Sequence, residues 1–259
     1  MVGVDKRTVP IERDVFYEEL DKKGQIAGLS LTEEQKKQLT DYYEQLVTVN
    51  RTMNLTAITL PDEIVIKHII DSLSCYDEMH FAGKKVLDLG TGAGFPGIPL
   101  AIYDKSLQIT LFDSLQKRLR FLEEVSQQIN LQNVTFLHGR AEELAHNKKY
   151  REGYAIVTSR AVARLPVLLE WALPYVAVGG YFISLKGAAY EDELRDSQKA
   201  LSLLGGQVEE VRPVQLPGLM DKRAVIYIKK VKATPKSYPR KVKEIKEHPL
   251  GVSRETREV

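Results

Sequence analysis

Apolar and polar positions alternate with two different periods along the chain. Between Thr32 and Asn50 the apolar residues Leu39, Tyr42, Tyr43, Leu46, Val47 and Val49 recur at roughly three- to four-residue steps, the spacing that lines one face of an α-helix. Thr32 precedes this run with Gln35 three residues on, the capping-box arrangement that satisfies the first backbone N–H groups of a helix. A shorter helix is expected over residues 15–23. A third should start near Pro61 and Asp62, with Ile64, Val65, Ile69 and Ile70 on its buried side.

Beyond Gly83 the period changes to short apolar runs at residues 85–89, 108–112, 134–138, 155–159 and 181–185, which read as strands. Helix-like segments lie between them at residues 97–103, 116–129, 162–173 and 191–204. Strand and helix alternating at this pitch predict parallel βαβ units in a doubly wound, Rossmann-like sheet. Two last runs, residues 207–211 and 224–228, are separated only by a turn-rich segment, so they predict an antiparallel hairpin at the sheet edge. The expected architecture is α/β: seven strands, mostly parallel, preceded by an N-terminal helical layer. The expected units are a helical extension over 1–81, a core over 82–231 and a basic tail over 232–259.

Composition narrows the chemistry. In 259 residues there is one cysteine, so no disulfide is possible within the chain, and five scattered histidines do not have the short spacing of a zinc site. No apolar run reaches the roughly 18 residues that crossing a bilayer requires, so a cytoplasmic protein without a membrane partner is expected. The net charge of +2 hides an asymmetry: from Arg212 onward there are 13 basic and 5 acidic residues, against 24 and 30 before it. Such an end either faces a polyanion or is a solvated tail.

The most informative stretch is Asp88-Leu89-Gly90-Thr91-Gly92-Ala93-Gly94-Phe95-Pro96-Gly97, after a predicted strand and before a predicted helix. Glycines there let the backbone turn tightly and approach a ligand, in the crevice beyond the strand ends where open α/β sheets bind nucleotides. Gly92, Gly94 and Gly97 also fit the dinucleotide fingerprint G-x-G-x-x-G. Against that reading, Asp88 would repel a pyrophosphate while favouring a cationic ligand. S-adenosylmethionine is such a ligand, carrying a sulfonium and an ammonium and no phosphate. Asp113, at the end of the next predicted strand, is spaced to accept from ribose hydroxyls.

These features, with Asn54-Leu55-Thr56, Lys67-His68-Ile69-Ile70-Asp71, Gly139-Arg140-Ala141-Glu142, Ser159-Arg160-Ala161 and Lys186-Gly187, resemble the class I S-adenosylmethionine-dependent methyltransferases. The likeness is closer to the RsmG (GidB) family of bacterial 16S rRNA guanine-N7 methyltransferases, and it extends from the Tyr42 helix to Leu250. The resemblance implies methylation of guanine 527 of 16S rRNA in the small ribosomal subunit, by a monomer. It further implies that Gly90, Gly92 and Phe95 wrap the cofactor, that Asp113 holds the ribose, and that Ser114, Leu115, Ala141 and Glu142 border the adenine. Arg160 would complete the pocket near the methyl donor or the RNA.

Candidate phosphate contacts are Arg140, Lys186, Arg223, Lys236, Arg240 and Lys241, with Tyr238 as a stacking platform. Charge reversal at Arg240 and Lys241 is expected to weaken RNA binding. His68 reads either as a hydrogen-bonded helix histidine or as functional; Asn54 and Thr56 read as backbone-satisfying, and Trp171 and Leu168 as core. No general acid or base is expected, and Asp88 reads as occupied with the loop. The competing functions are methylation of another substrate and a non-catalytic RNA-binding or assembly role on the same fold. The chain departs from the family's pattern at Val49, where Trp is usual, and at Lys243-Glu244-Ile245.

Overall fold

The computed structural model describes residues 11–252, so residues 1–10 of the expected helical extension and 253–259 of the expected tail lie outside it. Its strands are β1 (Lys85–Leu89), β2 (Gln108–Asp113), β3 (Val134–His138), β4 (Tyr154–Arg160), β5 (Val176–Lys186), β6 (Gly206–Pro213) and β7 (Ala224–Lys230). They form one sheet in the order β3-β2-β1-β4-β5-β7-β6. β1 to β5 pair in parallel, and β7 runs antiparallel to both β5 and β6. The chain reverses direction across the sheet between β1 and β4, which opens a crevice at the carboxyl ends of these strands.

The strands are apolar on both faces, as a sheet sandwiched between helices requires. Val86, Ile109, Ile156, Ile183 and Tyr227 face one core, and their neighbours Leu87, Val157, Phe182 and Ile226 face the other. The first core is closed by α1 (Arg13–Ile26), α2 (Glu33–Met53), α3 (Pro61–Ile64), α4 (Asp71–Leu73), α5 (Glu78–Phe81), α6 (Gly97–Tyr103) and α7 (Gln116–Gln128). The second is closed by α8 (Ala141–Leu144), α9 (Leu165–Ala172), α10 (Tyr190–Asp196) and α11 (Gln198–Leu204), and α12 (Val242–Glu247) lies outside α9.

The capping box at Thr32 and Gln35 starts α2, and the Gln35 amide also donates to Tyr103 O at 2.8 Å, tying the helical layer to α6. Between α3 and α4 the chain makes a π-helical turn, Val65–Ile70, which no apolar periodicity announces.

Three elements differ from expectation for local reasons. β5 begins five residues before Tyr181, because Gly179 and Gly180 interrupt the apolar run without ending the strand; a Cβ on Gly180 would collide with Ala155 O. The helix expected from residue 162 begins at Leu165, where Pro166 fits the first turn. The helix expected over 191–204 breaks at Ser197, whose hydroxyl donates to Glu193 O.

The basic C-terminal segment is not a solvated tail as far as Val252. The Arg151 guanidinium donates to the carbonyls of Thr234, Pro235 and Tyr238, and Ile245 of α12 is fully buried. The atypical Lys243-Glu244-Ile245 therefore forms part of a packed helix.

Candidate active site

The glycine loop is held from below. Asp88, fully buried at the end of β1, accepts from Thr91 Oγ1 at 2.6 Å and from Gly97 N at 2.9 Å, so its carboxylate sits on the first N–H of α6. Burial pushes that carboxyl up to about 6, against the pull of these hydrogen bonds. Gly97 allows the approach, because a Cβ there would lie 2.7 Å from Asp88 Oδ2. Asp88 therefore closes the loop and does not face a cationic ligand directly. It also answers the dinucleotide reading, since the helix terminus that would receive a pyrophosphate is already taken by an acid. The Tyr42 hydroxyl, from α2, donates to Ala93 O and pins the loop from outside.

Above the loop is a cavity of about 470 Å³. Eight of the nine expected cofactor residues line it: Gly90, Gly92, Phe95, Asp113, Ser114, Ala141, Glu142 and Arg160. Leu115 does not; its N–H donates to Asp113 Oδ1 at 2.8 Å, and its side chain is exposed. Asp113 is buried, and its Oδ2 accepts from Gly92 N at 3.0 Å and more distantly from Arg118 at 3.4 Å. A carboxylate has about four lone-pair sites, so Asp113 retains acceptor capacity toward the cavity. Gly92 has φ +60°, and nothing lies closer to an added Cβ than Gly90 O at 3.9 Å. The backbone there borders open space.

Arg160, at the end of β4, is anchored to the π-helical turn. Its Nη1 donates to Lys67 O at 2.6 Å and to Asp71 Oδ2 at 2.9 Å, its Nη2 lies 3.0 Å from His68 Nδ1, and its guanidinium lies 4.9 Å from the Phe95 ring centre. Nδ1 of His68 lies between this donor and the Lys67 carbonyl at 3.1 Å; a guanidinium can only donate, so the hydrogen bond to Arg160 forms when Nδ1 accepts. The histidine proton is then on Nε2, 2.8 Å from Thr56 Oγ1. Burial and the neighbouring Arg160 push the His68 pKa down to about 3. The neutral ring stacks on Phe95 at 4.4 Å. His68 is thus a hydrogen-bonded helix residue that also lines the cavity. Asn50 Oδ1 accepts from Leu55 N and Thr56 N, and Asn54 caps α2 in the left-handed region, so the 54–56 turn is built to present Thr56.

The expected RNA contacts separate into distinct environments. Arg140 lines the cavity and pairs with Glu142 at 2.8 Å. Lys236 and Lys241 are exposed. Arg223 pairs with Asp71 Oδ1 at 3.1 Å. The half-buried Lys186 is held between Glu193 and Ala163 O, both at 2.7 Å. Arg240 grips the fully buried Glu170, with Nε at 2.9 Å from Oε1 and Nη2 at 2.8 Å from Oε2, which makes it an internal strap and not a surface contact. Tyr238 packs against the second core, so it is no exposed stacking platform.

Trp171 and Lys246 line the cavity without having been expected there. Leu168 is core, but Trp171 is only half-buried, and its Nε1 is shielded from solvent with no partner among the described residues. An apolar residue at helical spacing gives no signal that its ring edge borders a ligand, and Lys246 reaches the rim only because the tail folds back.

The residues that converge here match a known family. Residues 35–224 match the family model described as rRNA small subunit methyltransferase G, GidB. The chain is 44% identical over 236 residues to the ribosomal RNA small subunit methyltransferase G of Clostridium botulinum (strain Eklund 17B / Type B), covering 91% of this chain and 99% of that one. It is 45% identical over 240 residues to the protein of the same name from Lactobacillus johnsonii, covering 92% and 99%. For that of Alkaliphilus metalliredigens the figures are 46% over 215 residues, 83% and 90%. With the family model covering most of the fold and relatives aligned almost end to end, this chain belongs to the rRNA small subunit methyltransferase G (GidB) family.

Proposed function

We propose that the chain transfers a methyl group from S-adenosylmethionine to N7 of a guanine in the 16S rRNA of the small ribosomal subunit. The observation that carries this reading is the convergence, in a chain of this family, of the glycine loop, Asp113, Glu142 and Arg160 on one cavity of about 470 Å³. That size falls within the range of small-molecule sites, and the donor set fits the cofactor. Asp113 has lone pairs for ribose hydroxyls, Gly92 leaves its approach open, and the unpartnered Trp171 Nε1 offers a buried N–H. When bound, S-adenosylmethionine supplies an electrophilic methyl group on a sulfonium.

The chain's own part is to position and to exclude water. Guanine N7 carries an in-plane lone pair and is unprotonated near neutral pH, so no side chain has to remove a proton. The carboxylates and the imidazole that line the cavity are engaged: Asp113 with Gly92 N and Leu115 N, Glu142 with Arg140, and His68 Nδ1 with Arg160. Both walls of the site come from one chain, so a monomer suffices. Among the described residues no helix is long and apolar enough to cross a membrane, in keeping with a cytoplasmic enzyme working where small subunits assemble.

Calorimetry with S-adenosylmethionine, followed by transfer of a labelled methyl group to purified small subunits and to naked 16S rRNA, tests this. Mass spectrometry of the product is expected to place the label on a guanine N7. Label on another base or atom, or cofactor binding with no transfer to either RNA, would overturn the reading.

A further inference from the structure

A second cavity of about 400 Å³ adjoins the first, and Arg160, Ala161 and Val162 line both. Its lining is polar and cation-rich: Arg160, Arg164, Lys186 and Arg223 stand against the carboxylates of Asp71 and Glu193. Two of the expected RNA contacts, Lys186 and Arg223, which lie 37 positions apart in sequence, meet there. Asp71 sits between Arg223 and Arg160, accepting from one with each oxygen, and so fixes both guanidinium groups. Two of the five N–H bonds of Arg160 have no partner among the described residues, and the Nε of Arg223 is shielded from solvent and likewise unpartnered. The shared edge is also strained, since Ala161 holds a left-handed φ of +54° that a residue with a Cβ adopts at a cost.

Resting on the function proposed above, we propose that this second cavity receives the target nucleotide. Guanine O6 accepts from the unused N–H groups of Arg160, and the flanking phosphate meets Arg223 and Arg164. The chemistry selects this arrangement. N7 must keep its lone pair for the methyl group, so recognition has to come from other atoms of the base. O6 is an acceptor next to N7, whereas adenine presents an amino group there. A donor-only guanidinium at that position accepts guanine and leaves adenine with donor facing donor. The excess of cations suits a phosphate, and the edge the two cavities share at Arg160, Ala161 and Val162 is where N7 of a base in the second meets the methyl group of a cofactor in the first.

The test titrates the full chain and its Arg223→Gln and Arg164→Gln variants. S-adenosylmethionine is titrated by calorimetry. Labelled single-stranded RNAs carrying one guanine or one adenine are titrated by fluorescence anisotropy with S-adenosylhomocysteine present. Arg164 is half exposed and among the described residues pairs with Asp196 alone, so its loss leaves the fold intact even where that of Arg223 does not. The expected result is cofactor affinity within about twofold of the parent, tighter binding of the guanine RNA by the parent, and roughly tenfold weaker RNA binding in each variant. Equal affinity of the parent for the two RNAs, unchanged RNA binding in both variants, or cofactor affinity falling in step with RNA affinity would overturn it. Methyl transfer to small subunits, measured on the same samples, keeps the two readings apart. A parent that discriminates guanine yet transfers nothing overturns the function alone, and transfer unaffected by both substitutions overturns the pocket alone.

Discussion

Replacing Arg240 with alanine should destabilise the fold. Glu170 on α9 is fully buried, and every hydrogen bond to its carboxylate among the described residues comes from Arg240: the backbone N–H, Nε and Nη2. Truncation leaves a buried carboxylate with one N–H and no counter-charge, a change that costs about 3–5 kcal/mol. Against a total stability of about 5–15 kcal/mol this is a large fraction, and for a chain of this size it corresponds to a fall in Tm of roughly 10 °C. Arg240 also donates to Glu244 and to His248 O, so α12 loosens and takes Lys246 away from the cavity rim. Urea melts and thermal scans of the parent, of Arg240→Ala and of the double variant Arg240→Ala/Glu170→Gln measure the effect. The double variant is expected to recover at least half of the loss, because the orphaned charge is gone. The charge pattern alone gave the opposite reading, in which Arg240 contacts RNA. In that case Arg240→Ala would melt within about 1 kcal/mol of the parent and lower the salt slope of RNA binding by about one. That pair of results would refute the strap.

The remaining expectations concern the cavity and its floor. Asp113→Asn keeps the shape but removes the charge, and is expected to weaken S-adenosylmethionine roughly tenfold to a hundredfold in calorimetry; unchanged affinity would show that Asp113 does not hold the ribose. Gly92→Ala should fold, with a backbone penalty of about 1–2 kcal/mol for its positive φ, yet lose cofactor affinity, whereas Gly97→Ala should lose stability first because its Cβ meets Asp88 and Leu111. Identical melting curves for the two variants would contradict this. Asp88 carries a folded pKa of about 6, above its ordinary 3.8, so the native state binds the proton more tightly and the group's contribution to stability declines as pH rises from about 4 to about 6. That decline is on the order of 3 kcal/mol. His68, pushed down to about 3, contributes the opposite slope, stability that is complete above its ordinary 6.5 and is lost as pH falls toward 3. The comparison is therefore parent against Asp88→Asn, where the difference in stability should vary across pH 4–6; a pH-independent difference would rule the assignment out.

What could be read from the sequence was local or periodic. The strand runs, the capping box and the glycine loop each depend on residues within about ten positions of one another, and β1 with α6 begins and ends where the pattern puts them. Asp113 was legible because one βαβ unit fixes its distance from Gly90. Partners distant in sequence were not legible. Arg240 and Glu170 are 70 residues apart, Arg160 and Asp71 are 89 apart, and a charge pattern cannot say whether an arginine faces solvent or a buried acid. That Asp88 serves the loop was legible, but the partner of its oxygens was not. Its position beside the glycines was correct, but only the packing of α6 decides that its oxygens turn to Gly97 N.

The same long-range pairing explains how a guanidinium can stand beside a cavity proposed for a sulfonium. An unpaired cation there would oppose a cationic ligand, and protonated His68 would add a second. Asp71 and the Lys67 carbonyl pair with Nη1 of Arg160, and burial, with Arg160 second, keeps His68 neutral. Neutral His68 in turn holds Nη2 in place, with Phe95 stacked against both groups. The arrangement depends on the π-helical turn, which presents the Lys67 carbonyl, His68 and Asp71 together to the end of β4. The electrostatic balance at the boundary of the two cavities is thus set by the backbone of the helical layer and by the sheet only where β4 ends. That layer is accordingly part of the site's chemistry as well as a cover for the first core.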